Sequence, residues 1–244
     1  MILEGTNKSI RTKYISGIVG RIEIEDILKN KNNAKNLKNV LLISIINPNN
    51  KYQIIIEILN KIEDFINSDS ENVLIPFYQG NGKYINKKFD KKNIAELLEY
   101  KKELEDFIRK IRKSNNLEDR NSIPLDKNLL NLCHDSLTVS FWDIDFEEEI
   151  GNYKPISNEE ARKIAKFIKK YASDVKNQKK KFLIHCSAGI SRSAGTAIAI
   201  HCILDYNSNK DKFSKNNCKI ISHSRYMPNK QVFEKIIKQY KILS

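Results

Sequence analysis

Cysteine and histidine are both scarce in this chain, four of each among 244 residues, and neither set is spaced to hold a metal. Cys133, Cys186, Cys202 and Cys218 fit no zinc template, and His134, His201 and His223 share no ligand spacing, so neither metal nor organic cofactor is expected. Long apolar runs are missing too. None approaches the roughly 20 residues of a membrane span, and the opening MILEGTNKSIRTKY lacks the apolar core of a signal peptide, so no membrane span or secretion leader is expected. Acidic residues fall short of basic ones, 30 against 43, which leaves a formal charge of +13. The lysines are spread among asparagines and isoleucines, which favours a solvated surface over a dedicated polyanion partner. With 40% hydrophobic and 30% charged residues the chain is not compositionally disordered and can bury a sizeable core, so a single domain over residues 1–244 is expected.

Against that background one stretch concentrates the chemistry: Lys181 to Ser193, KFLIHCSAGISRS. Phe182, Leu183 and Ile184 form an apolar run that delivers His185 and Cys186 to a strand end. Five residues, Ser187, Ala188, Gly189, Ile190 and Ser191, then precede Arg192 and Ser193. Small residues and a glycine allow the backbone to curl until successive N–H groups face one concavity, which holds an oxyanion without side chains. The alanine-rich segment after Arg192 predicts a helix whose N-terminus adds a favourable dipole for an anion. A cysteine ordinarily titrates at about 8.5, and a helix N-terminus with a neighbouring arginine lowers this by several units, so Cys186 is expected to be a nucleophilic thiolate. Arg192 offers a planar fork of donors to two phosphate oxygens, and the Ser193 hydroxyl can donate to the sulfur.

His185, Cys186, Gly189, Arg192 and Ser193 resemble the signature loop of the cysteine-dependent protein phosphatase superfamily, and AGISRS is most similar to dual-specificity and bacterial or viral tyrosine phosphatase-like proteins. A rhodanese-like loop has one residue fewer between cysteine and arginine. The resemblance implies an α/β fold with a central, mostly parallel sheet flanked by helices, carrying a largely helical insertion. It implies hydrolysis of phosphotyrosine or phosphoserine/threonine in proteins through a phosphocysteine intermediate, in a reducing, cytoplasmic compartment. Ser187, Ala188 and Ile190 lack the lysines of phosphoinositide-directed relatives, which disfavours that alternative, and the basic charge keeps an RNA 5′-triphosphatase as a further one. A phosphate-reading or nucleic-acid-binding module on the same fold is the non-enzymatic alternative.

Elsewhere the pattern supplies a scaffold. Tyr14 to Val19 reads as a short apolar segment, Ile22 to Leu28 as a short helix and Asn30 to Asn39 as a loop. Val40 to Ile46 (VLLISII), closed by Asn47-Pro48, reads as a strand buried on both faces. Residues 49–133 read as an insertion: an amphipathic helix over 52–67, a strand Val73 to Tyr78, a turn at Gly80-Asn81-Gly82, and a helix over 91–113. Its apolar faces are expected to add core to the main sheet; a lid over the site is the sharper alternative. Leu137 to Trp142 alternates as a strand and runs into Asp143-Ile144, a pair that relatives carry after such a strand. Asp143 is thus the candidate general acid, with Asp145 as runner-up. Ser157 and Glu160 form a capping box for a helix reaching about residue 172, and Pro228-Asn229 opens a final helix. His185 is expected to orient the loop by hydrogen bonding, and Arg225 is read first as a solvated loop arginine, with a second basic contact near the pocket as the alternative.

Overall fold

Why VLLISII makes a strand is visible in what each of its faces meets. The computed structural model describes residues 2–6, 9–48, 50–78, 84–114, 116–144, 154–205, 220 and 223–243. Strand β2 (Val40–Ile46) is buried along its whole length. Leu41, Ile43 and Ile45 enter one hydrophobic core, while Val40 and Leu42 enter another on the opposite face. Strand β6 (Lys181–His185) alternates in the same way, with Phe182 and Ile184 on one side and Leu183 on the other. Side chains of period two on both faces are what a sheet covered by helices on two sides demands.

The contacts divide the chain into two compact units, Met1–Asn47 with Pro124–Ser244, and Pro48–Ile123. The first holds a four-stranded sheet in the order β1-β6-β2-β5, with β1 spanning Ile15–Val19 and β5 Asp135–Ser140. Every neighbouring pair is parallel. One core lies between this sheet and the helices α7 (Asn158–Lys176), α8 (Arg192–Asp205) and α9 (Lys230–Leu243). The other takes Ile24, Ile27 and Leu28 of α1 (Arg21–Lys29), Leu37 of α2 (Ala34–Leu37), and Leu125 and Cys133, with Leu129 and Leu130 of α6 (Lys127–Leu130) packed against it. The expected α/β architecture with a central parallel sheet is thus observed.

The second unit contains α3 (Asn50–Asn67), the antiparallel hairpin β3 (Asn72–Tyr78) and β4 (Tyr84–Asp90), α4 (Ile94–Lys113) and α5 (Leu117–Asn121). Its apolar stripes do not add to the main sheet's core as expected. Ile55, Ile58, Ile62, Phe65, Ile75, Phe89, Leu97, Tyr100, Leu104 and Ile108 form a core of their own. The reason is β4, which the sequence reading missed. YINKKFD carries two lysines where a strand would show apolar residues, and it becomes a strand by pairing with β3, Phe89 opposite Val73 and Ile85 opposite Phe77. That pairing gives α3 and α4 a sheet to cover within their own unit. The predicted turn at 80–82 lies outside the described residues.

Three smaller corrections have local causes. Asn30 to Asn39 is not a plain loop: Asn30 caps a 3₁₀ turn by accepting from Asn32 N at 2.9 Å, and α2 follows because Leu37 is fully buried. The strand expected over 137–142 begins and ends two residues earlier, since its register is set by Leu41 opposite Asp135 and Ile46 opposite Ser140. At α7 only half of the capping box forms. Ser157 Oγ accepts from Glu160 N at 3.1 Å, while the Glu160 carboxylate turns to Lys163 at 3.3 Å. Ser157→Ala should therefore lower stability by about 1 kcal/mol, read as a reduced midpoint in urea unfolding, whereas Glu160→Ala should cost less.

Candidate active site

The parallel order brings the carboxyl ends of all four strands to one edge of the sheet, and β6 ends there with His185 directly before Cys186. The loop that follows is held from outside by its carbonyl oxygens. Arg21 N, at the start of α1, donates to Ser187 O at 3.0 Å; Met227 N donates to Ile190 O at 3.2 Å; and Asn229 N donates to Ser191 O at 3.2 Å. Gly195 N within α8 also reaches Ser191 O, at 2.8 Å. Drawing carbonyls outward turns the opposite edges of those peptide planes, their N–H groups, toward the concavity. Gly189 makes the curl possible. Its φ is +71°, and a Cβ there would lie 2.3 Å from the carbonyl carbon of Val19, so neither the conformation nor the space admits a side chain.

The five residues from Ser187 to Ser191 form the bowl that the sequence suggested, with Cys186 at its base, 2% exposed. Its Sγ lies 3.2 Å from Ser193 Oγ and 3.3 Å from the backbone N of Gly189, which donates to it. Arg192 is 3% exposed. Its Nη1 donates to Phe141 O at 2.7 Å and to Ile46 O at 3.4 Å, at the ends of β5 and β2, and its Nη2 donates to Ser187 Oγ at 2.7 Å. Ser187 Oγ in turn donates to Asn47 Oδ1 at 3.1 Å. The third nitrogen, Nε, is buried with no hydrogen-bond partner among the described residues. A buried guanidinium nitrogen left unspent is suited to an anion, because leaving such a donor unsatisfied costs about 1–3 kcal/mol.

Asp143 meets the end of the loop at Ser191 and Arg192. Its Oδ1 accepts from Ser191 Oγ at 2.7 Å and from Asn229 Nδ2 at 3.0 Å, and its Oδ2 is 4.0 Å from Arg192 Nε. Asp143 thus joins the same cluster as Arg192 and Ser191. Asp145 lies outside the described residues, as does Cys218. Of the other thiols, Cys133 is buried in the second core of the sheet unit, where desolvation pushes it up to about 12.

His185 is 1% exposed, and its Nε2 meets Ser44 Oγ of β2 at 2.7 Å. Burial, then the charge of Arg21, depresses it to about 3, with Arg192 adding to the same effect, so it is a neutral bracket between two strands. Arg225, considered as a second basic contact, instead donates through Nη2 to both carboxylate oxygens of Glu23, at 3.0 and 2.8 Å. Glu23 is itself the acceptor for Gly20 N at 2.7 Å, so this arginine braces the β1–α1 turn. Sequence reasoning missed Ser44 and Arg21, which carry no motif, and saw Asn47 only as the close of a strand and Asn229 only as the start of a helix. The single available signal was Asn229's place after proline at an N-cap. Among the described residues no group of three or more His, Cys, Asp or Glu is placed to hold a metal ion, and no described helix is long and apolar enough to cross a membrane.

Residues 153–243 match the family model for protein-tyrosine phosphatase. The matched span contains α7, β6, the loop with Cys186, Arg192 and Ser193, and helices α8 and α9; Asp143 precedes it. No curated protein and no solved structure matches the chain.

Two measurements probe this arrangement. Gly189→Ala places a side chain at a left-handed φ and against the Val19 backbone, so it should destabilise by more than about 1–2 kcal/mol, seen as a lower urea midpoint. For His185, the unfolded chain binds a proton below its ordinary value of 6.5 while the folded chain resists until about 3. The unfolded state therefore holds more protons in that window, and stability falls as pH drops from about 6.5 toward 3. In urea unfolding at pH 7 and pH 5, His185→Gln should show a smaller difference between the two than the parent protein.

Proposed function

We propose that the chain is a cysteine-dependent phosphatase, a reading supported by its matched segment, and that it hydrolyses phosphate monoesters on protein side chains, with phosphotyrosine or phosphoserine/threonine as substrate, through a phosphocysteine intermediate. The observation that carries this reading is the convergence of Cys186 Sγ, the unspent Nε of Arg192 and the Asp143 carboxylate on one bowl of backbone amides.

In the first step the Cys186 thiolate attacks phosphorus. The S–P bond forms as the ester P–O bond breaks, and Asp143 gives its proton to the departing oxygen. The amides of Ser187, Ala188, Gly189, Ile190, Ser191 and Arg192, with the Arg192 guanidinium, hold the equatorial oxygens as charge spreads over them. In the second step a water attacks phosphorus, the Asp143 carboxylate takes its proton, and the S–P bond breaks. The sulfur departs as a thiolate, which Ser193 Oγ stabilises from 3.2 Å. The chemistry asks for a free thiol, so a reducing cytoplasmic compartment suits it, with phosphorylated protein as the partner.

Turnover of an aryl phosphate should fall by on the order of 10⁴-fold or more in Cys186→Ser. Asp143→Asn should lose on the order of 10²–10⁴-fold with a poor leaving group and lose the basic limb of its pH–rate profile. Absence of turnover by the parent protein on any phosphoester, or full activity in Cys186→Ser, would overturn the reading; the first result together with phosphate or RNA binding would point to a non-catalytic module.

A further inference from the structure

The two oxygens of Asp143 have different surroundings. Oδ1 accepts from both the Ser191 hydroxyl, at 2.7 Å, and the Asn229 amide, at 3.0 Å. Oδ2 has neither donor and faces Arg192 Nε, at 4.0 Å. A carboxylic acid carries its proton on one oxygen, and an oxygen that already accepts two hydrogens is poorly disposed to bear a third.

We propose that Asn229 is a positioning residue for Asp143: together with Ser191 it confines Oδ1 to accepting and leaves Oδ2 as the proton-bearing oxygen, on the side of the bound phosphate. This rests on the reading of Asp143 as general acid. Asn229 is built for a fixed role. It is 2% exposed. Its Oδ1 accepts from Val232 N at 2.9 Å, capping α9, which assigns its Nδ2 to the other side. That Nδ2 donates to Ile144 O as well as to Asp143, at 3.0 Å each, so it grips the backbone and side chain of the acid segment together. Its own N–H donates to Ser191 O at 3.2 Å, tying it to the anion loop. The remaining group, its carbonyl, is pressed against α8, since a Cβ on Gly195 would lie 2.5 Å from that oxygen.

A neutral amide suits this task. It orients the carboxyl group through one oxygen without adding a further charge beside it. The amide fixes the carboxyl plane through one oxygen, and the rate gain comes from aiming the other.

The test compares two substrates, phenyl phosphate, whose leaving oxygen needs a proton, and 2,4-dinitrophenyl phosphate, whose leaving oxygen does not. Asn229→Ser keeps an oxygen able to cap α9 but removes the amide. It should lower the ratio of phenyl to dinitrophenyl turnover (kcat) by about tenfold or more. Asn229→Asp, which keeps size and cap but replaces the donor by an acceptor, should change the ratio in the same direction and serves if the serine variant is poorly folded. An unchanged ratio in both variants, whether both substrates slow together or neither slows, would overturn the proposal. Asp143→Asn, run alongside, separates the two layers: if it too leaves the ratio unchanged, the assignment of the acid has failed; if it alone collapses the ratio, only the role of Asn229 has.

Discussion

The site depends on carbonyl groups being pulled away from it. The two serine hydroxyls of the loop are spent on Asn47 and Asp143, so an anion there falls to its peptide N–H groups, which face inward only while their carbonyls are engaged elsewhere. Three separate parts of the sheet-bearing unit supply the engagement: the first turn of α1 through Arg21 N, the segment before α9 through Met227 N and Asn229 N, and α8 itself through Gly195 N. Each is a backbone donor, and so the requirement is on chain position more than on residue type. The fold is in this sense the anion site: the parallel order sets β6 between β1 and β2, which brings the β1–α1 turn alongside the loop.

Arg192 follows the same logic at a higher cost. A guanidinium buried to 3% exposure is unfavourable unless its donors are satisfied. Two strand-end carbonyls and a serine hydroxyl satisfy Nη1 and Nη2, and they also fix the plane of the group before any ligand arrives. Nε alone is held in reserve among the described contacts. Preorganisation of this kind means that little rearrangement of the guanidinium is needed to meet an anion.

Much of this was legible in the sequence, and the part that was not has a physical reason. VLLISII and KFLIHC declare buried strands because burial on both faces leaves no room for polar residues. The spacing of Cys186 and Arg192 marks the loop because the small residues and the glycine between them let the backbone curl tightly. Asp143 could be chosen because it follows a strand and opens the Asp-Ile pair that the resembled family carries there. Its partner Asn229 could not, since helix-capping asparagines are common and only the tertiary structure shows that this one's amide reaches a carboxylate. The core of residues 52 to 123 was misassigned for a related reason: helical periodicity reports that a face is buried but not against what, and a lysine-bearing strand gives almost no signal until its partner is known.

The strand order carries a consequence for how the molecule comes into being. β1 and β2 are synthesised early, yet they are not neighbours in the sheet; the strand that lies between them, β6, is made long after both. Until β6 emerges, the apolar length of β2 lacks one of its two lateral partners, and no local pairing of β1 with β2 can stand in. The intervening unit from Pro48 to Ile123 has a core composed of its own residues and lengthens the wait, so closure of the sheet is a late event joining remote parts of the chain. The strand that closes the sheet is also the strand that ends just before Cys186, so the loop that follows it is not in place until the sheet is closed.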